Sequence, residues 1–172
     1  MSTCTHDSPV GPLTLVADGD RLVGCYFSNH PLAIDHELGR DPVPRAPNAV
    51  LDRTRRELDD FFAGRLERFT VAVNPPGTDF QRRVWGALRK IPYAQTVSYG
   101  HIAKQIASPA AARAVGAANG KNPICIVIPC HRVIGASGSL TGFGGGLDRK
   151  RFLLALERGG PRYREIATLI SP

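Results

Sequence analysis

Cysteine is scarce in this chain. Cys4, Cys25, Cys125 and Cys130 form no Cys-x-x-Cys pair, which argues against a disulfide scaffold and a dithiol redox motif and makes free thiols the expectation. Long apolar runs are missing as well: none approaches 18 residues, so no membrane-spanning helix is expected. The opening Met1-Ser2-Thr3-Cys4-Thr5-His6-Asp7 has no basic region leading into an apolar one, so no secretory signal is read there and a cytoplasmic, nucleoid-associated protein is expected. Acidic residues are sparse in one part only. Residues 78–172 hold 14 Lys and Arg against 4 Asp and Glu, a balance of +10, whereas residues 1–77 hold 8 against 11, a balance of −3. A basic block of this kind fits a polyanion, nucleic acid being the simplest, with a solvated basic surface as the plainer reading.

What is present suits a folded chain: 42% of the 172 residues are hydrophobic and 22% charged, enough for one domain or two small ones. Val10–Ala17 and Arg21–Phe27 read as strands of a hairpin around Asp18-Gly19-Asp20. A Pro-rich loop follows at 41–47. Over 50–63, Leu51, Leu58, Phe61 and Phe62 recur at helical spacing with Gly64 as a stop, and Arg68–Val73 reads as a further strand. Asn74-Pro75-Pro76-Gly77 punctuates the chain, so the domain boundary is placed there, giving an α/β unit over 1–77 and a mainly helical one over 78–172.

In the second unit Thr78 and Gln81 make a capping-box signature ahead of Phe80, Val84, Trp85, Leu88 and Ile91. Ser98 starts a short helix over 99–107. Ser108 then reads as a cap with Pro109 at the first helical position, and Gly120 as the end of a second helix. Two helices joined so closely make a helix-turn-helix candidate at about 98–120. The second helix is nearly all Ala and Gly with one long cation, Arg113, so its backbone can approach a groove while one side chain protrudes. Close packing against another protein helix is the competing explanation.

Ile124–Ile128 reads as a buried strand that Pro129 must end, leaving Cys130 at a strand terminus beside His131 and Arg132. A thiolate is the nucleophilic form, and nearby imidazoles and cations favour it. Neighbours on an extended chain point to opposite sides, so sequence alone does not put His131 on Cys130. Glu157, late in an amphipathic helix that Asp148 is expected to cap, is disfavoured by the helix dipole; that argues for a specific partner such as the imidazole, against the simpler reading of a solvated Glu.

The run Ile128-Pro129-Cys130-His131-Arg132-Val133-Ile134-Gly135, with Ala111-Ala112-Arg113-Ala114-Val115-Gly116, Asn122-Pro123, Gly144-Gly145-Gly146-Leu147 and Lys150, closely resembles the O6-alkylguanine-DNA alkyltransferases, over nearly all of residues 8–160. The resemblance implies an α/β (α+β) two-domain fold: a small ribonuclease H-like amino-terminal domain and a mainly helical carboxy-terminal domain carrying the helix-turn-helix. It implies a single-use protein, monomeric in solution, that binds double-stranded DNA through the minor groove, flips out an O6-alkylguanine and keeps the alkyl group on its own cysteine. O4-alkylthymine as a further substrate and clustering along DNA are left open. No cofactor and no membrane partner are implied.

Residue by residue, the resemblance makes Cys130 the acceptor, His131 its base through a water, and Glu157 the group that orients the imidazole. Tyr99 donates to guanine N3, and Asn122 ties the groove helix to the active-site segment. Arg113 takes the place of the flipped nucleotide, with Ser108, Ala111, Ala112 and Gly116 beside the groove. Lys150, Phe143 and the Gly144 amide line the guanine pocket. Phe143 stands where many members have tyrosine, and Cys125 replaces a proline of some members, which reads as a small buried residue. Some members hold a structural zinc. Here Cys4, Cys25, His30 and His36 imitate that set, but Ala17 falls where a ligand cysteine belongs, so no metal is expected. The main rival is a non-catalytic alkyltransferase-like DNA-binding module, against which the presence of Cys130 weighs. A regulator with an added metal-binding domain, a cysteine peptidase and a thiol oxidoreductase fit less well. The glycine run at 142–146 fails as a phosphate loop because Leu147 fills the last glycine position.

Overall fold

The amino-terminal residues build an antiparallel meander in the computed structural model, which describes residues 1–28 and 48–159. Strands β1 (Ser2–His6), β2 (Leu13–Asp18) and β3 (Arg21–Phe27) lie in that order. The expected hairpin is β2–β3: Asp18 pairs with Arg21, and Gly19 takes the first of two central turn positions with φ +57°, a left-handed angle that glycine adopts without a Cβ clash. Strand β1 has no counterpart in the sequence reading. Its Ser-Thr-Cys-Thr-His is polar, and only Cys4 and His6 turn inward, so the hydrophobic signal for a strand is weak. The Pro-rich loop at 41–47, His30 and His36 fall outside the described residues.

Helix α1 (Ala49–Phe62) packs on this sheet through Leu51, Leu58 and Phe61. Asn48 caps it by accepting the Val50 and Leu51 amides, and Gly64 at φ +70° follows its end, so both ends are chemically specified. Arg68–Val73 is not a strand. Buried Glu57 of α1 accepts the Thr70 and Val71 amides and the Thr70 hydroxyl, taking donors a ladder would need. Only Leu22 and Val73 form a bridge, flanked by Leu22 N–H to Ala72 O and Asn74 N–H to Leu22 O.

Helix α2 (Asp79–Leu88) begins with the expected capping box between Thr78 and Gln81. Strand β4 (Val97–Ser98) leads directly into α3 (Tyr99–Gln105), where the Ser98 hydroxyl accepts the His101 amide. Helix α4 (Ala112–Gly120) starts later than expected. Ser108 closes a turn by accepting the Ala111 amide through its carbonyl, while its hydroxyl accepts from Arg83; Pro109 therefore occupies a turn position, and α4 has no side-chain cap. Gly120 is the last helical residue rather than the stop. Helix α4 packs against α2 and α3, and Trp85 Nε1 donates to Ala118 O at 2.9 Å, locking α2 to α4.

Helix α5 (Leu147–Glu157) is less one-sided than the sequence pattern implies, because Lys150, Phe152, Leu153, Leu154, Leu156 and Glu157 are all buried. Asp148 does not cap it. Gly146 holds that position, and the Asp148 carboxylate binds Arg151 in the first turn. One hydrophobic core runs from Leu13, Leu15 and Phe27 of the sheet through Ile124 and Ile128 to Phe152 and Leu153. Among the described residues no helix is long and apolar enough to cross a membrane, and no group of metal-ligating side chains is found.

Candidate active site

The Cys130 segment differs most from its expectation. Residues 124–128 are a doubled turn, not a strand. Val127 N–H donates to Cys125 O at 2.8 Å around Ile126, whose φ is +71°; this is a γ-turn of the strained left-handed kind on a β-branched residue. Ile128 N–H returns to Ile124 O at 3.0 Å, and Cys130 N–H to Ile128 O at 2.8 Å around Pro129, at φ −79° and ψ 65°, an inverse γ-turn.

Asn122 holds this turn from beneath. Its Nδ2 donates to Ile128 O at 2.8 Å and its Oδ1 accepts the Ile124 amide at 3.0 Å. The turn is also docked on the sheet: Cys25 N–H donates to Pro123 O and Cys125 N–H to Cys25 O. Strain of this size persists where surrounding bonds over-determine it.

Cys130, His131 and Arg132 form a single 3-10 turn, all buried. His131 Nε2 lies 2.7 Å from Glu157 Oε1. Arg132 donates through Nε at 3.0 Å and Nη2 at 2.9 Å to the same carboxylate, and through Nη1 to Ile91 O at 2.8 Å. Ala94 N–H completes the Glu157 shell at 3.1 Å. Burial pushes the Glu157 carboxyl up, but the bonds from His131 and Arg132 outweigh it and hold its pKa at about 2. Burial lowers the His131 pKa against the pull of Glu157, favouring a neutral ring. With the proton on Nε2 assigned by the carboxylate, the buried Nδ1, which has no partner among the described residues, is a free acceptor.

The Cys130 pKa is lowered, first by a hydrogen bond from the Cys125 thiol, against burial, and then by Asn122 and Lys150. Lys150 is itself buried, its Nζ donating to Val133 O at 2.6 Å and Thr141 O at 3.0 Å.

Tyr99 arrives by a contact too short to read in sequence. Strand β4 pairs in parallel with β5 (Val133–Ile134), Val97 against Val133, so α3 starts beside the nucleophile's own segment. Tyr99 Oη donates to Thr141 O at 2.9 Å, the carbonyl that Lys150 also uses. A cleft of about 530 Å³ beside it is lined by Tyr99, Ala112, Arg113, Gly116, Thr141 and Gly142, among others. Arg113 is exposed at its edge.

Several expected positions lie apart from that cleft. Ser108 and Ala111 sit in the α3–α4 turn and at the start of α4. Phe143 is turned edge-on to Phe27, with centroids 5.8 Å apart, and Gly144 is exposed; neither lines the cleft. Two organising residues carried no role in the sequence reading. Arg132 was visible as the third member of the Cys-His-Arg run. Asn119, whose Nδ2 donates to Cys130 O at 3.3 Å, gave no signal.

This arrangement presents a buried thiol with a lowered pKa, a carboxylate-held imidazole with a free ring nitrogen, and a phenol beside a cleft bordered by a lone exposed arginine. It suits nucleophilic displacement by sulfur. Comparison with known proteins agrees. Residues 2–75 match the family model for the ribonuclease-like domain of 6-O-methylguanine DNA methyltransferase, and residues 79–159 match its DNA-binding domain. The chain is 53% identical over 157 residues to the methylated-DNA–protein-cysteine methyltransferase of Mycobacterium tuberculosis, covering 90% of each. It is 47% identical over 158 residues to that of Methanosarcina acetivorans, covering 91% of this chain and 98% of the relative. The crystal structure of Mycobacterium tuberculosis OGT in complex with DNA superposes with a TM-score of 0.83 at 49% identity, covering 94% of this chain and 96% of that one. With a two-domain α/β fold matched along both parts, the chain belongs to the 6-O-methylguanine DNA methyltransferase family.

Proposed function

We propose that this chain reverses alkylation damage by moving the alkyl group of O6-alkylguanine in double-stranded DNA onto its own Cys130. The observation that carries this reading is the buried Cys130-His131-Arg132 turn, with Glu157 gripping the imidazole at 2.7 Å, in a chain of this family. His131 Nδ1 takes the thiol proton through a water. The thiolate attacks the alkyl carbon, the C–S bond forms as the C–O6 bond breaks, and the purine leaves with the electron pair. Tyr99, whose phenol burial keeps protonated, donates to the leaving purine at N3, where negative charge develops. To do so it exchanges its bond to Thr141 O for one to the base, which sets the 135–146 loop as the part of the pocket that must yield. Lys150, Phe143 and Gly144 reach the base only once that loop has moved.

A modified O6 inside a stacked duplex is out of reach of a buried thiol, so the nucleotide must be extruded. Helix α4 enters the minor groove with Ala112 and Gly116 allowing close approach, and Ser108 and Ala111 lie alongside it. Arg113 fills the space the nucleotide leaves. The thioether is stable, so each molecule reacts once. The working form is a monomer with domains over 1–77 and 78–172, in the cytoplasm. Intact mass spectrometry after incubation with O6-methylguanine DNA tests the assignment: one added methyl on the Cys130 peptide is expected, and none in Cys130→Ser. An unchanged mass, or a methyl on another residue, refutes it.

A further inference from the structure

Cys125 reads from the sequence as a small buried filler. The fold gives it a more specific place. Its N–H is fixed on Cys25 O at 3.0 Å and its carbonyl closes the Ile126 γ-turn, so Cys125 and Cys130 stand at the two ends of the doubled turn that Asn122 clamps. Its thiol has two acceptors within reach: Asn122 O at 3.6 Å and the Cys130 sulfur. We propose that Cys125 is a positioning residue for the nucleophile, its S–H swinging from the Asn122 carbonyl onto the Cys130 sulfur as the thiolate forms. The inference rests on Cys130 being the acceptor of the alkyl group.

An S–H is a weak donor to a neutral carbonyl, but a bond to an anion in a dry interior is charge-assisted and stronger. The proton stays on Cys125, because its own pKa is raised well above the ordinary thiol value, by the neighbouring Cys130 first and by burial next. Cys125 therefore acts as a donor and not as a second nucleophile. The other groups facing Cys130 are Cys25 from β3, Lys150 from α5 and Tyr99 from α3, with His131 following it in the same turn. Of these, Lys150 has two carbonyl partners and Tyr99 is bound to Thr141. Cys125 is the partner free to redirect its hydrogen. The strained φ of Ile126 has a use in this reading, because the turn it closes sets the two sulfurs face to face.

The test is the pH dependence of Cys130 alkylation by iodoacetamide, followed by mass of the Cys130 peptide, in the wild type, Cys125→Ala and Cys125→Ser. Loss of a hydrogen bond to a charged group predicts a profile shifted to higher pH in Cys125→Ala, about tenfold slower near neutrality and converging with the wild type in alkaline solution. Cys125→Ser, which keeps a donor, returns the profile toward the wild type. A superposable Cys125→Ala profile overturns the proposal, and so does a serine variant that tracks alanine. Should alanine not fold, Cys125→Val fills the volume without a donor and carries the same comparison. Iodoacetamide reports the thiolate whether or not Cys130 accepts alkyl groups from DNA, so failure here is distinct from failure of the repair assignment.

Discussion

Glu157→Gln probes the centre of the site with little change of shape. The wild-type carboxylate accepts from His131 Nε2, Arg132 Nε and Nη2 and the Ala94 amide. A glutamine offers one oxygen and must aim its NH2 at one of these donors, leaving Arg132, only 6% exposed, as a buried cation without its counter-charge. Breaking a buried pair by removing one partner costs about 3 to 5 kcal/mol. The shift of the Glu157 carboxyl from 4.5 to about 2 points to the same size, roughly 3 kcal/mol.

The sign follows from the direction of the shift. A carboxyl whose folded pKa is depressed contributes stability that is complete above the unfolded value and is lost as pH falls through the folded one. Urea denaturation at pH 7 is therefore expected to show the full gap between wild type and variant, with a fall in thermal midpoint of roughly 6 to 20 °C. The gap then narrows as pH drops from about 4.5 toward 2. Alkyl transfer also slows, since His131 loses the acceptor that fixes its tautomer. A stability loss under about 1 kcal/mol at pH 7, the size of an exposed ion pair, would refute the buried-network reading, and so would a gap that is flat with pH.

Other consequences are open to direct measurement. Arg113→Ala is expected to react with free O6-benzylguanine like the wild type but about tenfold or more slowly with damaged duplex, since only the duplex requires extrusion; equal loss on both substrates counts against the role given to Arg113. Asn122→Ala strands the buried Ile124 amide and Ile128 carbonyl, for a loss of about 2 to 4 kcal/mol in urea titration together with slower transfer, and an unchanged midpoint would show that the turn holds without its clamp.

The sequence by itself determined what depends on side-chain chemistry at short range. The hairpin about Gly19, the Asn48–Phe62 region, the capping box at Thr78 and the start of α3 at Ser98 are local signals, and each element forms where its signal lies. The Cys-His-Arg run, the Ala-rich helix with Arg113 and the basic second half likewise named the chemistry and the kind of partner. Tertiary structure decided what depends on distant chain. Arg68–Val73 lost its ladder to Glu57, 13 residues from Thr70, and Ser108 gave its hydroxyl to Arg83, 25 residues away. The β-branched run at 124–128 has strand propensity, yet Asn122 and the edge of β3 fold it into two tight turns, because their hydrogen bonds exceed a propensity worth about 1 kcal/mol at most. The two-residue pairing of β4 with β5 brings Tyr99 to the nucleophile's segment, and a pair that short leaves no periodicity to read. Only the folded chain puts the Cys125 thiol within reach of Cys130, turning a residue that reads as filler into one that bears on the nucleophile's charge.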